Sequence, residues 1–290
     1  MTVKIHNESL IAEIELYGGK PVSLVSVGDG TQYIWQNTSV YWPDRACLLF
    51  PTSGRLYCGT YTHKGKSYGM PLHGFAYTSR FEPCELTENS VTLTLTDSPL
   101  TLETFPFRFR FSVKYELAGN TLKVTFSVSN TGSDTMYFAL GFHPWFNIPS
   151  DDRHKFGDYT AFFPKSERIS VCRMSKNVLD IGSRTPLGSD SICLDPSLFA
   201  ADVLMLEGTG GEVRIVCENG SGVTVDYGDM PYLGLWNTAR EDAHFICTEP
   251  MTTLPGRDGI VEEWSERRDI VSLGAGKTYF AAVNITADMP

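Results

Sequence analysis

Apolar and polar positions alternate with a period of two along most of this chain. Leu10-Ile-Ala-Glu-Ile-Glu-Leu16 sets the pattern, and Ser90-Val-Thr-Leu-Thr-Leu95 alternates hydroxyl with aliphatic side chains. Phe107-Arg-Phe-Arg-Phe-Ser-Val-Lys-Tyr115 repeats it with Arg and Lys on one face, and Leu122-Lys-Val-Thr-Phe-Ser-Val128 follows. This periodicity predicts half-buried strands, and Ala118-Gly-Asn-Thr121 between the last two has the chemistry of a hairpin turn. A second predicted hairpin joins Glu212–Val216 to Gly222–Asp226 through Glu218-Asn-Gly-Ser221, and Tyr279–Ile285 reads as a final strand. Helical periodicity is nearly absent; Asp195–Asp202 suits one or two turns at most. Many short strands with polar turns predict an all-β fold, a large sandwich or barrel. With no tandem repeat and no low-complexity linker, residues 1–290 read as one domain. Ser150–Asp195 is less regular and reads as long loops around a site.

Composition narrows the picture. Hydrophobic residues make up 42% of the 290 positions and charged ones 20%, enough apolar material for a sizeable core. The net charge of −10 and the absence of a basic cluster exclude nucleic acid and anionic membranes as expected partners. No apolar run approaches the length of a membrane span, and the N-terminus lacks a signal-like core, so a cytoplasmic location is expected. Seven scattered cysteines without a C-x-x-C pair fit reduced thiols better than disulfides or a zinc site.

Candidate chemistry starts from the six histidines. His6, His63, His154 and His244 stand among polar neighbours and are expected at the surface. His73, in Met70-Pro-Leu-His-Gly-Phe-Ala76, and His143, in Leu140-Gly-Phe-His-Pro-Trp-Phe146, stand among aromatics and turn residues. Pro144 biases His143 toward an extended conformation. Local context leaves a proton-transfer role and a loop-holding role open for both. Glu249 closes the apolar run Phe245-Ile-Cys-Thr and precedes Pro250, so it is either paired and functional or turned to solvent at a strand end. Arg55 follows a glycine turn and offers a fork of donors to hydroxyls or a carboxylate, although a surface ion pair explains it nearly as well. Metal, nucleotide and serine-hydrolase signatures are missing. Two histidines, a glutamate and an arginine amid aromatics point to proton transfer on a polar neutral ligand, with no cofactor or metal expected.

These segments occur in an order that resembles the aldose 1-epimerase (galactose mutarotase-like) family, and most closely its short bacterial branch. The matching stretches are Gln32–Trp35, Tyr41-Trp42, Leu49–Leu56, His73–Ala76, Phe105–Phe109, Gly141–Phe146, Tyr232–Trp236 and Phe245–Pro250. The resemblance implies a large antiparallel β-sandwich of the galactose mutarotase type and interconversion of the α and β anomers of a free hexose. It implies His143 as general acid to the ring oxygen and Glu249 as general base to the anomeric hydroxyl. Arg55 and His73 would bind hydroxyls, with Trp145, Phe146, Phe75 and Trp236 as possible stacking partners or core. The family's hydroxyl-binding aspartate has no clear motif here; Asp202 is the candidate by position and Asp226 the weaker one. Met251 stands where a tryptophan often follows Glu-Pro. At ordinary pKa values of about 4.3 and 6.5, Glu249 would be ionised at neutral pH, and His143 would need that charge nearby to stay protonated. Two other readings share these residues. A hexose-6-phosphate 1-epimerase would need a basic pocket from Arg55 with Arg80 or Lys64, and a non-catalytic carbohydrate-binding protein would not need a matched acid and base. A monomer or homodimer is expected.

Overall fold

The computed structural model describes residues 1–36, 46–149, 153–175, 178–240 and 243–288, leaving aside the side chains of 181–183. It is a large antiparallel β-sandwich, built mainly from two sheets. The first has nine strands in the order Ser191–Cys193, Thr160–Phe162, Glu212–Val216, Gly222–Asp226, Thr278–Asp288, Thr121–Asn130, Phe109–Ala118, Ser90–Thr96 and Glu82–Leu86. The second has seven: Val178–Pro186, Ser170–Ser175, Leu204–Glu207, Tyr232–Trp236, Phe245–Met251, Gly141–Asn147 and Ala46–Leu49. The N-terminal strands Thr2–His6, Leu10–Glu15 and Lys20–Ser26 form a three-stranded sheet of their own.

Period-two patterning explains the large sheet. In Phe109–Ala118 the residues Phe109, Phe111, Val113 and Tyr115 are buried, while Arg110 is exposed and Lys114 partly so. Its neighbour Thr121–Asn130 buries Leu122, Val124, Phe126 and Val128. The expected hairpin joins them, with Thr121 opposite Ala118. The buried faces of the two sheets meet through aromatic contacts, such as Phe126 against Phe142 at 5.9 Å and Phe50 against Phe111 at 4.8 Å. Burial of such rings supplies most of the cohesion between the layers.

The seven-stranded sheet differs, because its central strands are buried on both faces. Phe142, Phe146, Ile246, Leu233 and Leu235 pack into the core between the sheets. The alternate positions His143, Trp145, Cys247, Glu249, Met251 and Trp236 therefore face the other way, as strand geometry requires. That second face carries the site.

Two expectations need correction. Ser150–Asp195 is not loop alone: it supplies the strands Thr160–Phe162, Ser170–Ser175, Val178–Pro186 and Ser191–Cys193. Val178–Pro186 and Ser191–Cys193 are edge strands, and polar residues on both faces of such short elements blur the alternation. His63 is buried, not solvated, because Phe107 and Tyr137 pack against its ring at 4.9 and 5.7 Å. The Asp195–Asp202 turns are 3-10 in type over Pro196–Phe199. The short α-helix Pro99–Thr104 starts at Ser98, whose side chain accepts from the Thr101 N–H. All seven cysteines are free. Among the described residues, no helix is long and apolar enough to cross a membrane.

Candidate active site

His143 and Glu249 sit on neighbouring strands of the seven-stranded sheet and face the same cavity of about 260 Å³. His143 Nε2 lies 3.1 Å from Glu249 Oε1, and both side chains are almost wholly buried. Glu249 stands opposite Gly234 on the next strand. A Cβ at Gly234 would come within 3.0 Å of Glu249 Cβ and 2.9 Å of Val203 Cγ2, so a side chain there would crowd both residues and push them by a few tenths of an ångström.

A loop packed against the sheet brings up the second histidine. The His73 N–H donates to the Gly54 carbonyl (3.0 Å), and the Gly54 N–H donates to His73 Nδ1 at 3.1 Å. His73 Nδ1 is therefore an acceptor, which leaves the proton of the neutral ring on Nε2. The His-Gly-Phe sequence has a steric origin. Gly74 sits at φ +80°, where a Cβ would come within 2.2 Å of the Phe50 carbonyl oxygen. The His73 and His143 rings meet edge to face at 5.6 Å. Arg55, next to Gly54, is exposed at the cavity mouth, and no carboxylate among the described residues lies within ion-pair distance of it. Asp202 lines the opposite side at φ +132°, a strained conformation for a side-chain-bearing residue.

Electrostatics set the protonation states. Burial pushes the Glu249 carboxyl up to about 8, and the negative charge of Asp202 adds to the effect. Burial pulls His143 well below its ordinary value, helped by the neighbouring His73. His73 is lowered to about 4 by burial and then by Arg55. Burial thus moves both groups away from the ordinary values expected from the sequence, Glu249 upward and His143 downward. Desolvation outweighs the attraction between them, and Trp145 Nε1 donates to His143 Nδ1 at 2.7 Å, where an imidazolium would need its own proton.

The cavity thus gathers Arg55, His73, His143, Trp145, Asp202, Trp236 and Glu249. Phe75 and Phe146, by contrast, pack into the core. Asp226 is elsewhere, bound to Lys165 at 3.1 Å on the nine-stranded sheet. Tyr41-Trp42 falls outside the described residues. Sequence reasoning missed an apolar wall of Met174, Met205, Val203 and Leu72, and it noted Met251 only as a departure. Met251 follows Glu249 by two positions and Trp145 follows His143 by two, so strand periodicity places each on its partner's face. That was the available signal. Among the described residues no group of three or more His, Cys, Asp or Glu is placed to hold a metal ion.

A buried histidine and glutamate in contact within an aromatic-lined cavity suit proton transfer on a polar ligand, and comparison with known proteins supplies the class. The aldose 1-epimerase family model matches residues 1–286, and the chain belongs to this family. It is an isomerase of the mutarotase type. Protein LacX of Lactococcus lactis subsp. lactis is 32% identical over 266 residues, 88% of each chain. The galactose mutarotase related enzyme from Lactobacillus acidophilus is 31% identical, with a TM-score of 0.94 over 99% of this chain and 97% of that one. A galactose mutarotase-like protein from Lactobacillus casei is 27% identical, with a TM-score of 0.90 over 99% of both chains.

Proposed function

We propose that this chain interconverts the α and β anomers of a free, neutral hexose, with Glu249 as base and His143 as proton donor. The 3.1 Å contact between His143 Nε2 and Glu249 Oε1, at the floor of a sugar-sized cavity, carries this reading. Ionised Glu249 accepts the proton of the anomeric hydroxyl. The O1 electrons form the carbonyl as the C1–O5 bond breaks, and its electron pair goes to O5. His143 gives its Nε2 proton to O5 and recovers one from protonated Glu249, so both residues end as they began. Rotation about C1–C2 and the reverse sequence deliver the other anomer. Positioned proton transfers of this kind contribute on the order of 100 to 10,000-fold each. His73 Nε2–H and Arg55 supply donors to hydroxyls, Asp202 an acceptor, and Trp236 an apolar surface for the sugar face.

A phosphorylated substrate is less well supported. Arg80 bonds Glu82 at 3.4 Å and Lys64 bonds Asp134 at 2.7 Å, and neither lines the cavity. Arg55 is the single cationic side chain among the lining residues, and Asp202 and Glu249 oppose it.

Polarimetry on freshly dissolved α-D-glucose, α-D-galactose and glucose 6-phosphate tests the proposal. Wild type should speed equilibration of a free hexose, and Glu249→Gln and His143→Asn should fall to near background. Catalysis confined to the phosphorylated sugar would sink the free-hexose reading. Sugar binding without any acceleration would sink the catalytic one.

A further inference from the structure

Strand Gly141–Asn147 turns His143 and Trp145 to the same face. The Trp145 ring is 1% exposed, stacked on Phe245 at 5.7 Å and packed against Trp236 at 6.2 Å. Its backbone carbonyl accepts from the Trp35 N–H at 2.8 Å, which fixes the strand beneath it. A ring so enclosed offers a sugar little surface, whereas its N–H lies 2.7 Å from His143 Nδ1. An indole nitrogen can only donate, so Nδ1 must present its lone pair. A neutral imidazole then carries its proton on Nε2, the atom that faces Glu249 at 3.1 Å.

We propose that Trp145 is a positioning residue that locks His143 in the Nε2–H tautomer. The inference rests on His143 acting as proton donor, and it assigns Trp145 a task other than stacking on sugar. In the opposite tautomer Nε2 would present a lone pair to Glu249 and would have no proton to give the ring oxygen. In an imidazolium two N–H groups would meet head to head at Nδ1. The indole therefore selects the form of His143 that can donate toward the cavity.

The titratable groups around the imidazole are few. Glu249 comes from the adjacent strand, with Asp202 behind it; His73 comes from the loop, with Arg55 behind it. Cys47 lies opposite His143 on the edge strand, and Cys247 lies opposite Trp145. Both thiols are buried.

The test combines nitrogen-15 NMR of the resting protein with kinetics. Wild type should show His143 with a protonated Nε2 and an unprotonated Nδ1 from pH 6 to 9. A coupling across the hydrogen bond to the Trp145 indole nitrogen should also appear. Trp145→Phe keeps the ring and removes the donor. It should give a mixture of His143 tautomers, raise the imidazolium fraction at acid pH, and lower kcat at least about 10-fold with KM little changed. A protonated Nδ1 in wild type at neutral pH overturns the proposal, whether or not the variant folds. So does a variant with unaltered tautomer and kcat, and a rise in KM alone would show a sugar-contact role instead. If wild type accelerates no sugar, the NMR result still decides the tautomer lock, and only the functional reading fails.

Discussion

The hairpin Phe109–Ala118/Thr121–Asn130 and the strand pair Gly141–Asn147/Phe245–Met251 are both antiparallel, yet they spend their two faces differently. The hairpin buries one face between the sheets and gives the other to Arg, Lys and Ser. The strand pair buries nearly all of both, and its outward face sets a histidine and a glutamate in contact. A polar side chain on a solvated face costs nothing to keep. A glutamate enclosed beside a histidine costs stability through desolvation, the kind of cost that marks functional sites, and the proposed proton transfer would account for it.

Substitutions on the two regions should separate these roles. The largest expected effect belongs to the strand pair: Glu249→Gln should lower kcat/KM by about 100-fold or more with little loss of folding, read by polarimetry and thermal melting. In the hairpin, Phe126→Ala should cost about 3–5 kcal/mol of stability, measured by denaturant unfolding, with unchanged activity per folded molecule. A smaller effect sharpens the contrast through pH. The folded state holds a proton on Glu249 up to about 8, and the unfolded carboxyl loses it near its ordinary 4.5. Between those values the native chain binds more protons, so stability should fall as pH rises from about 4.5 through 8. Glu249→Gln should remove that slope and melt higher than wild type at pH 9. Over the same range, kcat/KM of wild type should climb as Glu249 ionises. The smallest effect is expected from Lys114→Ala on the solvated face, within about 0.5 kcal/mol.

The same contrast explains what was legible in the sequence. Strands with one wet face announce themselves by alternation, and Glu212–Val216 and Gly222–Asp226 match the pattern residue for residue. His143, Glu249, His73 and Arg55 were marked by motif order, and the cavity gathers all four with Asp202. Met174 and Met205 stayed hidden because their strands lie in and beside the stretch where alternation is blurred. The high pKa of Glu249 depends on burial by strands far apart in the chain, which no local window contains. Trp145 was noticed as an aromatic, but the direction of its N–H is a matter of packing. His63 was misjudged because its sequence neighbours Lys64-Gly65-Lys66 are polar, while Phe107 and Tyr137 arrive from elsewhere.

Gly234 constrains how this pocket can change. Any larger residue there crowds Glu249 and Val203, so substitution under the carboxylate comes at a cost in packing. Met205 and Met174 line the cavity from the next two strands of the sheet, and unbranched thioether chains exchange for other shapes at modest cost. Change in the cavity therefore has a direction built into the sheet: the methionine flank is freer to drift than the glycine that faces Glu249.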